Sequence, residues 1–347
     1  MIRNVVYKQI GKHCCKRWHS TRREFKEVSI KVPWGELAGK WWEPYEERPI
    51  LAVHGWQDNC SSFDRLIPLL NRNVGFLAID LPGHGFSTRL PNGMNYHFMN
   101  YLIALRSIAH QFKWPKTSLM GHSLGGVICY TYCMLYPEDI DMVLFIDASK
   151  PMVRKNINVR IAQAIDAFFK YNSFNESSEE PPSYSIEDMK KMVGAPNNNS
   201  VSLEYATILM ERNIAPSKLY PGKFYFTRDP RLKTGTSLYF NQEDLVEYAH
   251  HMKMPMLLVK STESSYYEPK ENVYQVLDIL KRTSIDFDFH YVPGTHHVHL
   301  NNPENVADLM QNFIRRHNIE DRSIGGIKDD IIKEENRKKL VQIAEVS

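Results

Sequence analysis

A stretch that reads LMGHSLGG places Ser123 between glycines at the junction of two apolar segments. The run from Thr117 to Met120 predicts a buried strand, and the stretch from Val127 to Tyr136 predicts a helix. A chain that passes from strand to helix within a few residues needs small neighbours, because side chains at Gly121 and Gly125 would collide in the turn. The turn then presents Ser123 at a helix N-terminus, where backbone amides favour negative charge. The pattern predicts a nucleophilic serine.

A serine hydroxyl reacts efficiently only with a base, an acid that orients the base, and donors for the developing oxyanion. The segment VHGWQDN contains a predicted strand that ends in His54 and Gly55. Glycine at this point lets the next backbone amide, that of Trp56, approach the site without a side-chain clash. We therefore predict an oxyanion hole formed by the amides of Trp56 and of Leu124, the residue after the nucleophile.

Candidates for the base lie in the segment VPGTHHVHLNNP, which contains His296, His297 and His299. Three histidines so close together suggest a metal site, but no Asp, Glu or Cys with ligand spacing accompanies them, and they lie on a loop. We therefore predict no metal site. His296 directly follows the turn that ends a strand, so it is the predicted base. His297 and His299 are predicted to pack within the loop and are kept as alternative bases.

Composition is that of an ordinary globular protein, with 347 residues, 43% hydrophobic and 24% charged. This length allows one elaborated α/β domain or a core with an inserted subdomain. No apolar run approaches the length of a transmembrane span. The cysteines have neither zinc spacing nor a disulfide framework, which favours a reducing compartment. They are Cys14, Cys15, Cys60, Cys129 and Cys133.

The net charge of +3 conceals two parts of opposite character. Seven Lys and Arg residues precede the first acidic residue, Glu24, and removing them leaves a net charge of −4. The body of the protein is therefore mildly acidic, and no nucleic-acid partner is expected. The basic, amphipathic leader resembles a mitochondrial presequence, with a disordered basic extension as the alternative. We predict an intracellular protein, either mitochondrial or cytoplasmic.

Predicted strands and helices alternate along most of the chain, which indicates a mostly parallel sheet with helices on both faces. The interval from residue 149 to 251 departs from this alternation, because it contains helical stretches separated by polar segments. We predict a helical cap inserted after the sixth strand. The predicted parts are a leader at 1–23, a core at 24–148 and 252–318, a cap at 149–251 and a charged tail at 319–347.

Four of these segments, HGWQDN, DLPGHGFS, GHSLGG and GTHHVHLNNP, together resemble the α/β-hydrolase superfamily. The longer segments HGWQDNCSSFDRLIPLL and FTRDPRL resemble its serine hydrolase-like (kraken-type) branch. The resemblance extends from Phe25 to His317 and leaves both termini unexplained. It implies the α/β-hydrolase fold and a capped, esterase-like hydrolase with Ser123 as nucleophile, His296 as base and no cofactor. It does not fix the substrate.

The sequence departs from the superfamily pattern at the acid. After the seventh strand, PMLLVKSTES aligns with the family's P-x-L-x-I-x-G-x-x-D, but Ser264 occupies the aspartate's position and Glu263 precedes it. The superfamily also places its acid at the end of the sixth strand, where this chain has Asp147. Both carboxylates keep the order nucleophile, acid, base along the chain. We predict Asp147, because its context is buried, and keep Glu263 as the alternative.

These residues predict a serine hydrolase that cleaves a carboxylic ester through an acyl-enzyme, with a thioester or an amide as alternative substrates. The expected partner is a small hydrophobic ester-type substrate. The competing hypothesis is a non-catalytic ligand-binding protein on a hydrolase fold, which the missing seventh-strand aspartate favours. Six cap side chains are predicted to line an apolar pocket, with cap-to-core packing as the alternative. They are Met152, Ile157, Ile161, Ile165, Phe168 and Phe169.

Overall fold

The computed structural model describes residues 23–195, 199–235, 239–317, 325–333, 335 and 336. Apart from Arg23, the predicted basic leader lies outside the described residues, as does most of the predicted charged tail. Within the described ranges, every helix is too short or too polar to cross a membrane.

In the part of the chain that the structure describes, ten strands form a large sheet and a small hairpin. They are β1 (Phe25–Val32), β2 (Gly35–Trp42), β3 (Ile50–Val53), β4 (Phe76–Ile79), β5 (Thr117–His122), β6 (Ile140–Ile146), β7 (Ile214–Pro216), β8 (Phe224–Phe226), β9 (Met256–Ser261) and β10 (Phe287–Val292). The large sheet has the order β1-β2-β4-β3-β5-β6-β9-β10. Strands β1 and β2 pair antiparallel to their neighbours, and the other six strands are parallel. This mostly parallel sheet confirms the predicted fold class.

Nine α-helices accompany these strands in the described residues. They are α1 (Phe98–Gln111), α2 (Leu124–Leu135), α3 (Ile157–Glu176), α4 (Ile186–Gly194), α5 (Ala206–Met210), α6 (Gln242–Ala249), α7 (Lys270–Thr283), α8 (Val298–Asn301) and α9 (Glu304–Arg316).

Alternating residues of the central strands pack into two separate cores. In β3, Leu51 and Val53 join a cluster with the buried faces of α1, α2, α6 and α7. Ile50 and Ala52 point to the opposite face, where they pack with α9 and with the short helix Cys60–Phe63. Successive side chains of a strand point to opposite faces, so a sheet buried on both sides needs continuous apolar strands. The functional loops at the strand ends are thereby held on a rigid base.

The segment from residue 147 to 255, which we call the insertion, joins β6 to β9. It contains α3, α4 and α5, the hairpin of β7 and β8, and α6. Helix α6 packs into the core through Leu245 and Ala249, together with α7. The exact extent of an independent cap stays a prediction.

Hydrogen bonds made by a buried ion pair, Arg231 and Asp229, attach the insertion to the core. Arg231, in the segment FTRDPRL, donates to the carbonyl oxygen of Leu90 at 2.6 Å and to that of Pro91 at 2.7 Å. Its neighbour Asp229 accepts a hydrogen bond from the hydroxyl of Tyr96 at 2.9 Å. Because a buried polar group that loses its hydrogen-bond partner costs about 1–3 kcal/mol, these hydrogen bonds stabilise the attachment of the insertion to the core.

Candidate active site

Ser123 lies in the sharp turn between β5 and α2 and is partly exposed. Its backbone has φ 52° and ψ −117°, a conformation that non-glycine residues adopt rarely. The turn directs the serine out of the sheet at the first turn of α2, as predicted from the glycine spacing. Such strain persists only where the surrounding structure holds it in place.

Three glycines make this turn sterically feasible. A Cβ on Gly121 would lie 2.4 Å from the carbonyl oxygen of Gly125, which confirms the predicted collision in the turn. A Cβ on Gly125 would lie 2.0 Å from the carbonyl oxygen of Val53. A Cβ on Gly126 would lie 2.1 Å from the carbonyl oxygen of Ala148. These are all backbone contacts, which cannot rotate away as side chains can.

The structure brings Ser123, His296 and Asp147 together. The hydroxyl oxygen of Ser123 lies 2.8 Å from Nε2 of His296. The other ring nitrogen, Nδ1, is hydrogen-bonded to Oδ2 of Asp147. A carboxylate only accepts hydrogen bonds, so Nδ1 carries the proton and the neutral ring leaves Nε2 free to accept from the serine. This is the arrangement that a general base requires.

Asp147 follows β6 and is 5% exposed. Its Oδ1 accepts hydrogen bonds from Nζ of Lys260 and from the amide of Ser261, both at 2.8 Å. Burial alone would raise the pKa of this carboxyl, but His296 and Lys260 together hold it below its usual value. Asp147 is therefore ionised at neutral pH.

The alternative acid, Glu263, is an exposed residue on the loop after β9. Its neighbour Ser264 occupies the aspartate position of the superfamily pattern and donates its hydroxyl to Oδ2 of Asp147. The same hydroxyl lies 3.4 Å from Nδ1 of His296. The residue at the family's aspartate position therefore contacts the His296–Asp147 pair, but as a hydrogen-bond donor to the carboxylate that follows β6. A serine in that position carries no sequence signal for such a role.

Trp56 and Leu124 border the same cavity as Ser123 and His296. Leu124 is the first residue of α2, so its amide has no acceptor within the helix. The indole of Trp56 donates to the carbonyl oxygen of Leu232 at 2.8 Å and so rests against the insertion. The oxyanion role of the two amides stays a prediction.

His297 and Asp58 form a buried network beneath the candidate base. Nε2 of His297 lies 3.2 Å from Oδ2 of Asp58, and its Nδ1 lies 2.7 Å from the hydroxyl of Ser200. These partners lie outside the loop of His297, so its contacts extend beyond the predicted packing within that loop. Burial alone would raise the pKa of Asp58, but His297 and His122 hold it well below its usual value.

His122 connects this network to the candidate base. Its Nε2 donates to the carbonyl oxygen of His296 at 2.9 Å, and burial lowers its pKa to about 4. Its Nδ1 has no hydrogen-bond partner in the described residues and lies 3.6 Å from Oδ2 of Asp58. Gly55 allows this approach, since a Cβ there would lie 2.8 Å from Asp58 Oδ2 and 2.9 Å from His122 Nδ1.

Asp58, His122 and His297 place three potential ligand atoms within 4.8 Å of one another. The sequence has no acidic residue with ligand spacing near the loop histidines, but the fold brings Asp58 to His297 from another loop. The hydrogen bond between Asp58 and His297 accounts for that pair without an ion. His299 lies beside the group, with both ring nitrogens unpartnered among the described residues and its pKa lowered by burial.

A cavity of about 650 Å³ lies between Ser123 and the insertion. Met152 lines it, as predicted, but Ile161, Ile165 and Phe169 are exposed. Ile157 and Phe168 are half-buried and are not among the residues that line the cavity, so the prediction chose the wrong face of α3. The side of α3 that faces the cavity follows helical spacing and is more polar, and it consists of Arg160, Gln163, Ala164 and Ala167.

Residues 48–303 match the family model described as the alpha/beta hydrolase fold. The chain belongs to the α/β-hydrolase family. Its eight-stranded, mostly parallel sheet flanked by helices is that of this fold.

Curated relatives of this α/β-hydrolase span most of its length. It is 36% identical over 296 residues to a "Probable serine hydrolase" of Drosophila melanogaster, covering 84% of this chain and 88% of the relative. It is 33% identical over 298 residues to a "Serine hydrolase-like protein" of Danio rerio, covering 85% and 90% of the two chains. The serine hydrolase-like resemblance is thereby confirmed.

Solved structures agree with the fold. The hypothetical protein PA1622 from Pseudomonas aeruginosa PAO1 superposes with a TM-score of 0.72 at 28% identity, covering 84% of this chain and all of the other. A thioesterase domain from the curacin biosynthetic pathway superposes with a TM-score of 0.67 at 19% identity, covering 83% and 99% of the two chains. At that identity the second match concerns the fold alone.

Proposed function

We propose that this α/β-hydrolase is a serine esterase that cleaves a carboxylic ester through an acyl-enzyme on Ser123. One observation carries the proposal: the hydroxyl of Ser123 lies within hydrogen-bond distance of Nε2 of His296, whose other nitrogen is bonded to buried Asp147. Ser123 and His296 both border the cavity, so a substrate in it can reach them.

In the proposed reaction, Nε2 of His296 takes the hydroxyl proton while the oxygen of Ser123 attacks the ester carbonyl carbon. The amides of Trp56 and Leu124 are proposed to donate to the resulting oxyanion. His296 then returns its proton to the departing alkoxide, which leaves as an alcohol. A water molecule, deprotonated by the same nitrogen, attacks the acyl-enzyme and releases the acid.

Asp147 is proposed to hold His296 in the tautomer that leaves Nε2 free and to stabilise the imidazolium formed in each step. Thioesters and amides fit the same sequence of steps and remain alternative substrates. The non-catalytic alternative depended on the absence of an acid after the seventh strand. A carboxylate at the end of β6 that contacts His296 removes that reason.

A panel of p-nitrophenyl esters of increasing acyl length tests the proposal. We expect turnover by the purified protein, and loss of nearly all turnover in Ser123→Ala and in His296→Ala. Thr131→Ala serves as a control, because it alters a hydroxyl on α2 that donates to the carbonyl of Val127. Wild-type turnover that persists in Ser123→Ala would place the chemistry elsewhere, and no turnover of any ester would contradict esterase activity.

A further inference from the structure

The cavity beside Ser123 carries an excess of positive charge. Two carboxylates, Asp147 and Glu268, line it. Five cationic side chains line it as well: Lys150, Arg154, Arg160, Lys233 and Lys260.

Both carboxylates are neutralised by buried lysines. Nζ of Lys260 lies 2.8 Å from Oδ1 of Asp147, and Nζ of Lys150 lies 2.6 Å from Oε1 of Glu268. The second oxygen of Glu268, Oε2, accepts a hydrogen bond from the backbone amide of Val153 at 3.2 Å. These pairs leave neither lysine available for a ligand, and neither acid available for the remaining cations.

Arg154, Arg160 and Lys233 lack such partners. Within the described ranges, no carboxylate oxygen lies within 4.0 Å of any of their nitrogens. Arg160 donates through Nε to the carbonyl oxygen of Lys155 at 3.2 Å, and Nζ of Lys233 lies 5.5 Å from the ring centre of Tyr171. Neither contact neutralises a positive charge.

The surroundings of Lys233 are themselves positive. Partial burial, followed by the charges of Arg228 and Lys170, lowers its pKa. An anion bound beside Lys233 would relieve this repulsion, whereas a neutral ligand would leave it in place.

The three cations come from one part of the chain. All of them belong to the insertion, whereas Ser123, Leu124 and His296 belong to the core. The lining also includes apolar side chains of the core, namely Trp56, Phe98, Val127 and Leu258. A ligand that fills the cavity can thus contact both the nucleophile of the core and the unpaired cations of the insertion.

We infer that the substrate is an ester or thioester that carries an anionic group, a carboxylate or a phosphate, remote from the reacting carbonyl. Arg154, Arg160 and Lys233 form its anion subsite. This inference rests on the proposed hydrolase function and deepens it. It replaces a purely hydrophobic substrate with an amphiphilic one, because the predicted apolar wall of α3 faces outward.

Matched substrates test the inference. The p-nitrophenyl half-ester of suberic acid and p-nitrophenyl octanoate have acyl chains of equal length and differ by one carboxylate. We expect the ratio of their kcat/KM values to fall about tenfold in the triple variant Arg154→Gln, Arg160→Gln, Lys233→Gln, since each partly exposed charge contributes modestly. The wild-type ratio should also fall as salt is raised, because screening weakens exposed charges.

A second triple variant controls for net charge. Lys116→Gln, Lys253→Gln and Lys281→Gln remove three positive charges from exposed residues outside the cavity lining, and the ratio should stay at the wild-type value. An equal fall in both variants, or a ratio unchanged in the cavity variant for this pair and for the thioester pair below, would overturn the subsite.

A thioester pair distinguishes the source of the anion. Octanoyl-coenzyme A carries phosphates on its leaving group, and octanoyl-N-acetylcysteamine is a matched thioester without them. If the kcat/KM ratio of this thioester pair falls in the cavity variant, the recognised anion is a phosphate. If the ratio of the suberate pair falls instead, the recognised anion is a carboxylate. Dependence in neither pair contradicts the inference.

Binding of suberate to Ser123→Ala, measured by calorimetry, separates this inference from the hydrolase proposal. We expect binding that weakens about tenfold when the three cations are replaced in that background. If Ser123→Ala binds suberate in this way but the wild-type protein hydrolyses none of the esters, the hydrolase proposal is rejected and the anion subsite is kept. Turnover of octanoate, with dependence on the cavity cations in neither substrate pair, would keep the hydrolase and reject the subsite.

Discussion

Replacing Asp147 by asparagine should abolish most activity by forcing the wrong tautomer on His296. One side of the carboxylate faces two donors, Nζ of Lys260 and the amide of Ser261. An asparagine NH₂ placed there would face two N–H donors with no acceptor. The NH₂ must therefore point to the other side, which faces Nδ1 of His296. It then donates to Nδ1, and the ring proton moves to Nε2, where it blocks acceptance from Ser123.

The expected loss is on the order of 10⁴ in kcat, as for the equivalent change in a serine protease. This corresponds to about 5.4 kcal/mol of transition-state stabilisation, at about 1.36 kcal/mol for each factor of ten. Shape and most hydrogen bonds are conserved, so folding should be retained. The loss should appear in kcat more than in KM, because the tautomer matters to proton transfer rather than to binding.

The assay compares kcat and KM on one p-nitrophenyl ester for wild type, Asp147→Asn and Glu263→Gln, with circular dichroism and thermal unfolding as checks on folding. Glu263→Gln is a matched control, because it makes the same chemical change on an exposed side chain. We expect it to keep nearly full activity. If Asp147→Asn stays active and Glu263→Gln loses activity, the acid follows β9 and the tautomer argument is refuted.

Four further outcomes are expected. Gly125→Ala should unfold the serine turn, because its Cβ would lie 2.0 Å from the carbonyl oxygen of Val53; a wild-type melting temperature would contradict this. Ser264→Ala should lower kcat about three- to tenfold by removing a donor to Asp147, and an unchanged kcat would show that this hydrogen bond is unimportant. Asp58→Asn should destabilise the protein by about 2 kcal/mol at pH 7 in urea unfolding. The folded pKa of Asp58 is depressed, so its contribution is present above about pH 4 and is lost as pH falls through the folded pKa; a destabilisation that grows in acid would contradict this sign. Residues 1–23 fused to a fluorescent protein should enter mitochondria if they form a presequence, and a diffuse cytosolic signal would reject that address.

The residues closest to the chemistry could be predicted because local sequence determines them. The turn at Ser123 depends on glycines within three residues, and the structure shows the backbone contacts that exclude side chains there. His296 and Asp147 each follow a strand of the parallel sheet, and the C-terminal ends of such strands meet at one edge. Short-range sterics and sheet topology therefore suffice to bring these three residues together.

Contacts between distant segments could not be predicted in the same way. Asp58 and His297 are 239 residues apart, and only the folded chain shows that they share a hydrogen bond. The face of α3 was also chosen wrongly, because apolar residues such as Ile165 normally indicate the buried side. Here Ile165 is 52% exposed, and Arg160 lines the cavity instead. A helix that borders a ligand cavity need not follow the pattern of a helix that packs on a core.

Labelling with a fluorophosphonate probe, followed by mass spectrometric mapping of the modified residue, tests the central proposal most directly. The probe reacts only with a serine whose neighbouring base can take its proton, so it reports activation without requiring the natural substrate. We predict modification of Ser123 in the wild type and none in Ser123→Ala, with strongly reduced labelling in His296→Ala. Modification of a different residue, or no labelling of the folded wild-type protein, would contradict an activated serine at this site.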